Sequence, residues 1–213
     1  MLLVFISTAN AALIETDLVP GSGDGLLTLD TDTNLEWLDL TETINLSFNE
    51  ISGGAGGYTT ILGFRYATHE EVTALYLTAG VTEFGLVQLP SNIPAAEQLL
   101  DLMGCITVCS GTLFGANGLT STSFAPNTHS NPFFQLDTAV GARFWIEPNG
   151  VTDDSSSPFQ GNYLVREAVL DGPPLLTVFP DSGGNTGPVT VTVTIRGDVF
   201  MDGASVALDL EQA

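Results

Sequence analysis

Four oxygen-bearing side chains alternate along one short stretch, and their chemistry suits a calcium ion: Asp30, Asp32, Asn34 and Glu36. Calcium prefers clusters of carboxylate and amide oxygens, and an EF-hand loop begins with this spacing. The glycine and the distal glutamate of an EF-hand do not follow at the required spacing, so this stretch is not an EF-hand. Two interpretations stay open, a calcium site and a polar hairpin turn.

Signatures of catalysis are missing from the sequence. It contains no Gly-x-Ser-x-Gly elbow, no His-Glu-x-x-His motif and no phosphate-binding loop. His129 has the chemistry of a general base, but the sequence shows no residue that would orient it. His69 lies in the first turn of a predicted helix and is expected to be exposed to solvent. The sequence therefore predicts a protein that is not an enzyme.

The first residues resemble an export signal. An apolar run, Leu2–Ile6, precedes Ala9-Asn10-Ala11, which fits the small-x-small cleavage rule and predicts cleavage before Ala12. The usual positive leading region is missing, so either the start is misplaced or the chain is a fragment, and a retained N-terminal strand is the alternative. No other run approaches the ~20 apolar residues of a membrane helix. We expect a signal peptide at 1–11, no membrane span, and a secreted or cell-surface location.

Export would place the two cysteines in an oxidising compartment. Cys105 and Cys109 are then predicted to form a local disulfide, which would close a very short loop and add modest stability. Two cysteines without a matching Cys or His pair make a poor zinc site.

The chain is strongly acidic, with 25 acidic residues, four basic ones and a net charge of -21. Such a surface repels nucleic acid and anionic membranes, so neither is expected as a partner. Scattered acidic residues are typical of a solvated surface, and cation binding is the alternative. Because basic residues are so scarce, Arg65 and Arg166 are expected to have structural carboxylate partners, for example Glu36 or Glu167.

Local signals predict an early hairpin over 27–40, three helices and several strands. Ser47 with Glu50 and Thr68 with Glu71 form capping boxes, and Pro94 suits the first turn of the third helix. The predicted helices are 47–53, 68–78 and 94–103. The predicted strands are 13–19, 63–67, 142–147, 162–169, 189–195 and 206–210, with a domain boundary at the Pro173-Pro174 pair.

The order of these parts resembles a known family. The resemblance depends on five segments: Leu-Glu-Trp-Leu-Asp-Leu (35–40), Gly-Gly-Tyr (56–58), Phe-Arg-Tyr-Ala-Thr-His-Glu-Glu-Val (64–72), Phe-Trp-Ile (144–146) and Asn-Tyr-Leu-Val-Arg (162–166). They resemble the C-terminal domains of collagen-like proteins (Lcl C-terminal domains), in the versions found in secreted bacterial proteins with PEP-CTERM sorting signals. The resemblance covers roughly residues 24–169. It implies an α+β, C-type-lectin-like fold with short helices and a mixed or antiparallel sheet, and it transfers no catalytic residues.

The C-terminal part has a resemblance of its own. Residues 175–184 and 189–200 resemble the opening of an IPT/TIG immunoglobulin-like domain. A complete sandwich needs ~7 strands and ~100 residues, so this segment is expected to be a partial β-sandwich, truncated at Ala213. The expected organisation is a signal peptide at 1–11, a lectin-like domain at 12–171 and an incomplete immunoglobulin-like domain at 174–213.

Lectin-type folds often bind ligands through polar loops, and this points to Asn149, Asp153 and Asp154 as ligand-binding residues. A solvated loop is the alternative. The expected function is an exported, non-enzymatic binding or adhesion module of a bacterial cell-surface or extracellular-matrix protein, with a glycan or extracellular polymer as partner. The alternatives are a structural surface protein without a small ligand and an enzyme related to the formylglycine-generating fold.

The two tryptophans lie far apart in the sequence and test whether this region is one domain. Trp37 belongs to the opening hairpin and Trp145 to a late strand. Neither region has enough strands to bury a face alone. We therefore expect the first and last strands to meet and both tryptophans to be mostly buried in one core.

Overall fold

The computed structural model of the protein describes residues 12–146 and 150–168, together with the backbone of two strands at 177–179 and 192–194. The chain divides into two compact units, Met1–Ala168 and Val169–Ala213. Four features predicted from the sequence lie outside the described residues: the signal segment 1–11, Asn149, the Pro173-Pro174 boundary and the strand at 206–210.

The first unit is α+β, as predicted, with short helices placed between strands. Its helices are α1 (Phe48–Ser52), α2 (His69–Thr78) and α3 (Ile93–Met103), and 3-10 turns lie at Leu40–Thr43, Ala55–Gly57 and Pro90–Asn92. Its strands are β1 (Leu13–Thr16), β2 (Leu27–Asp30), β3 (Leu35–Leu38), β4 (Arg65–Tyr66), β5 (Leu113–Leu119), β6 (Ser123–Ala125), β7 (Thr128–Ser130), β8 (Phe133–Asp137), β9 (Gly141–Trp145), β10 (Gly150–Thr152), β11 (Gly161–Asn162) and β12 (Leu164–Glu167).

The predicted hairpin lies at the centre of a five-stranded sheet with the order β1-β2-β3-β12-β4. All its neighbouring strands are antiparallel. Trp37 on β3 lies opposite Val165 on β12, so the opening hairpin pairs with the last strand of the unit. The hairpin turn uses Asn34 at φ 58, a left-handed conformation that asparagine tolerates.

Both predicted capping boxes are present. Before α1, the Ser47 side chain accepts a hydrogen bond from the Glu50 backbone N–H, while the Glu50 carboxylate accepts one from the Ser47 N–H. Thr68 and Glu71 do the same before α2. Two orphan backbone donors are satisfied at each helix start, which is why these short helices begin where the sequence predicts.

The buried apolar residues form two core clusters, a smaller one around Ile51 and Leu164 and a larger one between the helices and two sheets. The second sheet has the order β11-β5-β8-β9, with β11 parallel to β5, and α3 contacts strands of both sheets. Trp37 packs edge-on against Tyr163 at 6.3 Å, and Tyr76 packs against Phe144 at 5.0 Å. The buried hydroxyls of Tyr76 and Tyr163 lie 2.7 Å apart. These contacts tie the hairpin to the late strands.

Trp145 does not belong to this core, and here the prediction was wrong. Phe144 is buried in the core, whereas Trp145 is partly buried and lies outside it. Successive side chains on a strand point to opposite faces, so both cannot face the core. Trp145 instead lies beside Arg143 on the outer face of the sheet, opposite Phe133 of β8.

In the second unit, the structure describes one antiparallel pair, β13 (Thr177–Phe179) with β14 (Thr192–Thr194). Val178 lies opposite Val193. The second strand falls within the alternating Val/Thr stretch that predicts a strand at 189–195.

Candidate functional site

Two of the three predicted ligand-binding residues line one open cleft. Its volume is about 640 Å³, and it lies beside the small sheet β10-β7-β6. The lining residues are Asn49, Pro126, Asn127, Thr152, Asp153 and Asp154. Asp153 and Asp154 thus lie together on this cleft, and Asn149 is outside the described residues.

His129 has the carboxylate partner that the sequence did not reveal. Its Nδ1 lies 2.7 Å from Asp153 Oδ1, and each side chain is only 15% exposed. The strand register explains the contact: His129 on β7 lies opposite Val151 on β10, so Asp153 is its diagonal neighbour across the two strands. His129 therefore has an orienting partner, which the sequence does not show because the two residues lie 24 positions apart.

A stack of three rings holds the imidazole from one side. The His129 ring lies 3.6 Å from the Phe48 ring and is tilted by 8°, and Phe48 stacks on Tyr66 at 4.2 Å. The Tyr66 hydroxyl donates to Asn162 Oδ1 at 2.8 Å. Burial, with a smaller effect from the Asp153 carboxylate, raises the pKa of Tyr66, so its hydroxyl stays protonated. The stack joins α1, β4 and β7 behind the cleft.

The floor of the cleft is held by hydrogen bonds from α1. The Asn49 backbone N–H donates to the Asp153 carbonyl at 3.1 Å, and Asn49 Nδ2 donates to Asp154 Oδ1 at 2.7 Å. The Asp153 N–H donates to the Asn127 carbonyl at 3.0 Å. The loop that carries both carboxylates is thus positioned before any ligand arrives.

The cleft is suited to binding hydroxyl groups. Carboxylates accept hydrogen bonds, and amides both donate and accept. None of the six lining residues is basic, and the acidic surface disfavours anionic ligands. Ser130, next to His129, is buried and its hydroxyl contacts His69 Nδ1 at 3.2 Å, so it does not reach the His129–Asp153 pair as a nucleophile would.

The four predicted calcium ligands have separate roles around the β2–β3 turn. The buried Asp30 carboxylate accepts a hydrogen bond from the Asp32 N–H at 2.9 Å, Asp32 itself is exposed, and Glu36 accepts from Arg166 Nε at 2.7 Å. Within 12–146 and 150–168, no group of three or more Asp, Glu, His or Cys side chains is placed to hold a metal ion. The structure shows the polar hairpin turn and does not bring the four residues together as a ligand set.

Two arginines have carboxylate partners, as expected. Arg166 pairs with Glu36, one of the predicted partners, and its guanidinium lies 4.7 Å from the Phe64 ring centre. Arg65 pairs with Glu71, which is not one of the predicted partners, through contacts of 2.6 and 2.9 Å. Hydrogen bonding from Arg65 lowers the pKa of Glu71. Arg65 thereby anchors the capping residue of α2.

Two further local predictions have different outcomes. Cys105 and Cys109 form the predicted disulfide. His69 is partly buried rather than solvent-exposed, because its backbone N–H donates to Thr122 Oγ1 and its ring contacts Ser130. The segment around Thr122 packs over the start of α2, a long-range contact that no helical signal near His69 reveals.

Comparison with known proteins identifies no relative: the chain matches no protein-family model, no curated protein and no solved structure. The resemblance to Lcl C-terminal domains therefore stays a prediction. Among the helices of the described ranges, none is both long and apolar enough to cross a membrane.

Proposed function

We propose that the first unit is an exported, non-enzymatic binding or adhesion module that takes a neutral glycan or a similar hydroxyl-rich polymer in the carboxylate-lined cleft. The observation that carries the proposal is the placement of Asp153 and Asp154 on one pre-positioned loop beside Asn49. A polymer of linked sugars suits an open cleft, since it offers hydroxyl donors along its length without adding negative charge to an acidic protein.

The proposed fold is C-type-lectin-like, as in Lcl C-terminal domains of bacterial surface proteins. Support comes from the order of the parts: an opening hairpin, capped α1 and α2, and a closing strand, β12, that pairs with the hairpin. For the second unit we propose an IPT/TIG-like fold, which the antiparallel pair β13–β14 supports.

Export from the cytoplasm is part of the same proposal. The Cys105–Cys109 disulfide supports it, because such bonds persist in oxidising compartments. Ala12, the expected first residue after cleavage, donates its backbone N–H to Thr31 Oγ1 at 2.9 Å. N-terminal sequencing of secreted protein should find Ala12 first, whereas a cytoplasmic product with intact Met1 would contradict export.

A glycan array with the full chain tests the binding function. Wild type should bind neutral oligosaccharides, and Asp154→Asn and Asn49→Ala should each weaken the best hit about tenfold, the loss expected for a hydrogen bond to a charged group. Glu97→Gln, which removes a charge from the exposed side of α3, is the matched control and should bind as wild type does. An array without a neutral hit would favour the structural surface protein instead.

The enzyme alternative depends on reactive cysteines. Both cysteines of the chain are joined to each other, which disfavours that chemistry. An activity screen of wild type, with Cys105→Ser as the control, tests the enzyme alternative. If wild type turns over a substrate and Cys105→Ser does not, the binding proposal is overturned.

A further inference from the structure

A second pocket lies on the outer face of the β5-β8-β9 sheet. Strand alternation places three polar side chains on this face, because their neighbours Ala116, Phe134 and Phe144 point into the core. The three are Asn117 of β5, Gln135 of β8 and Arg143 of β9, and Gln135 lies directly opposite Arg143. They line a cavity of about 130 Å³, several times the volume of one water molecule, together with Thr107, Asn131, Phe133 and Phe134.

Arg143 differs from the other two arginines of the described chain. Arg65 and Arg166 each bind a carboxylate, whereas Arg143 has no carboxylate partner within 12–146 and 150–168. Its Nε is buried without a hydrogen-bond partner among these residues, and its guanidinium lies 5.5 Å from the centre of the Phe133 ring. A buried donor without a partner is costly unless something else satisfies it.

An unused acceptor lies in the same pocket. Asn117 Nδ2 donates to Asn131 Oδ1 at 3.2 Å, while Asn117 Oδ1 is buried and has no partner among the described residues. Asn131 is only 8% exposed, so the amide pair is held in place. The pocket therefore offers a charged donor and a neutral acceptor, both unsatisfied, against an aromatic wall.

The disulfide loop forms one side of this pocket. The backbone N–H groups of Ile106 and Thr107 both donate to the Gly115 carbonyl, at 2.9 and 2.8 Å. A Cβ at position 115 would lie 2.7 Å from Thr107 Oγ1 and 2.8 Å from the Phe134 carbonyl, so glycine permits this close approach. The Cys105–Cys109 bond thus holds Thr107 against the rim.

We propose that this pocket binds a carboxylate with a hydroxyl group a few bonds away, as in a uronic acid unit of a polysaccharide. Arg143 donates to the carboxylate, since a guanidinium matches its planar geometry, and Asn117 Oδ1 accepts from the hydroxyl. Phe133 presents an apolar surface to the sugar ring. This site goes beyond the proposed cleft function: it takes an acidic unit, and the cleft a neutral one.

The site is tested by titrating the full chain with methyl glucuronide. Binding is monitored by calorimetry and by tryptophan fluorescence. Trp37 is fully buried, so a fluorescence change would report on Trp145, which shares the outer face with Arg143. Wild type should bind methyl glucuronide at least about tenfold more tightly than methyl glucoside, which lacks the carboxylate. Equal affinity for the two would overturn the proposal.

Variants separate the pocket from general charge effects. Arg143→Gln should weaken glucuronide binding about tenfold or more, and Arg65→Gln, which removes the same charge from an exposed pair, should change it less than twofold. If Arg143→Gln fails to fold, Asn117→Asp keeps the side-chain volume, places a negative charge beside the ligand carboxylate and should abolish binding. Retained glucuronide affinity in a folded Arg143→Gln or Asn117→Asp protein would overturn the proposal.

Lactate, a free hydroxy acid, tests whether the pocket binds a carboxylate on a sugar unit or any small hydroxy acid. It should bind at least about tenfold more weakly than methyl glucuronide, because it lacks the sugar ring that contacts Phe133. Lactate bound as tightly as the glucuronide would overturn the assignment to a sugar unit.

Ionic strength gives a further signature. Salt screens the long-range repulsion from the net charge of -21 more than the short contact inside the pocket. Glucuronide affinity should therefore rise between about 0.01 M and 0.15 M salt.

Discussion

The carboxylate-lined cleft and the Arg143 pocket differ in charge and in how their polar groups are satisfied. In the cleft, Asp153 binds His129 and Asp154 binds Asn49. In the pocket, Arg143 Nε and Asn117 Oδ1 are buried without partners among the described residues. Polar groups that bind one another fix the shape of a site, whereas unsatisfied ones favour a ligand that completes them. The net charge of the chain therefore does not decide by itself what each site takes.

The largest expected effect tests whether the opening hairpin and β9, the strand that carries Arg143, share one core. Trp37→Ala should lower the free energy of unfolding by about 3–5 kcal/mol, the range for losing a large buried aromatic side chain. Because Trp37 and Phe144 belong to the same core, hydrogen-exchange protection at 144–146 should fall as well. Trp145→Ala, on the outer face, is the control and should cost about 1 kcal/mol. Unchanged hydrogen-exchange protection at 144–146 in Trp37→Ala would show that the opening hairpin and β9 do not unfold as one cooperative core.

The next largest effect tests how much the His129–Asp153 contact beside the cleft stabilises the protein. Asp153→Ala leaves the partly buried His129 ring without its partner and should destabilise the protein by about 2–3 kcal/mol in urea unfolding. Asp154→Ala removes the same charge from the exposed neighbouring position and should cost less than about 0.5 kcal/mol. Equal losses of unfolding free energy in Asp153→Ala and Asp154→Ala would show that the His129–Asp153 contact adds no stability beyond that of an exposed carboxylate.

The disulfide sharpens the comparison because the loop it closes lines the pocket through Thr107 and contributes no residue to the lining of the cleft. The double variant Cys105→Ser, Cys109→Ser should lose about 2 kcal/mol, the chain-entropy estimate for so short a loop. It should also weaken glucuronide binding, since Thr107 is no longer held against Gly115, and leave neutral-glycan binding in the cleft unchanged. An equal loss of affinity for the glucuronide and for the neutral glycan would show that the disulfide stabilises the whole unit and not only the rim of the Arg143 pocket.

The smallest effect concerns Asp39, whose buried Oδ1 lacks a partner among the described residues, as Asn117 Oδ1 does. Burial, then repulsion from Glu42, Glu15 and Asp24, raises the pKa of Asp39 from 3.8 to about 7. Between these values the folded chain holds a proton that the unfolded chain has lost. This contribution to stability is therefore complete below about pH 4 and is lost as pH rises through about 7.

Asp39→Asn should remove that pH dependence and gain about 1 kcal/mol at pH 8, a value reduced for the partial exposure of the group. Thermal unfolding at pH 5 and pH 8 measures it, with Glu97→Gln as the control for net charge. An Asp39→Asn protein with the same pH dependence as wild type would show that this carboxyl titrates normally.

Several features were predictable because their causes lie within a few residues. The capping boxes before α1 and α2 link positions three apart, the β2–β3 turn depends on Asp30 to Asn34, and the disulfide joins positions four apart. The prediction that Asp153 and Asp154 bind a ligand depends on loop polarity alone and stays a prediction, and the structure places both residues on one cleft.

Other features depend on how distant strands align. A sequence shows that side chains alternate along β9, but not which set faces the core, so Trp145 was assigned to the wrong side. The pairing of His129 with Asp153 depends on the β7–β10 register, which joins positions 24 residues apart.

By itself, the sequence determined the hairpin, the capped helices, the disulfide and the acidic surface, because each follows from local chemistry or composition. Only the tertiary structure decided the Arg143 pocket, since its walls come from three strands and the disulfide loop. The physical reason is that a site of this kind depends on strand register and on the face each side chain takes, and a shift of one residue would exchange the faces.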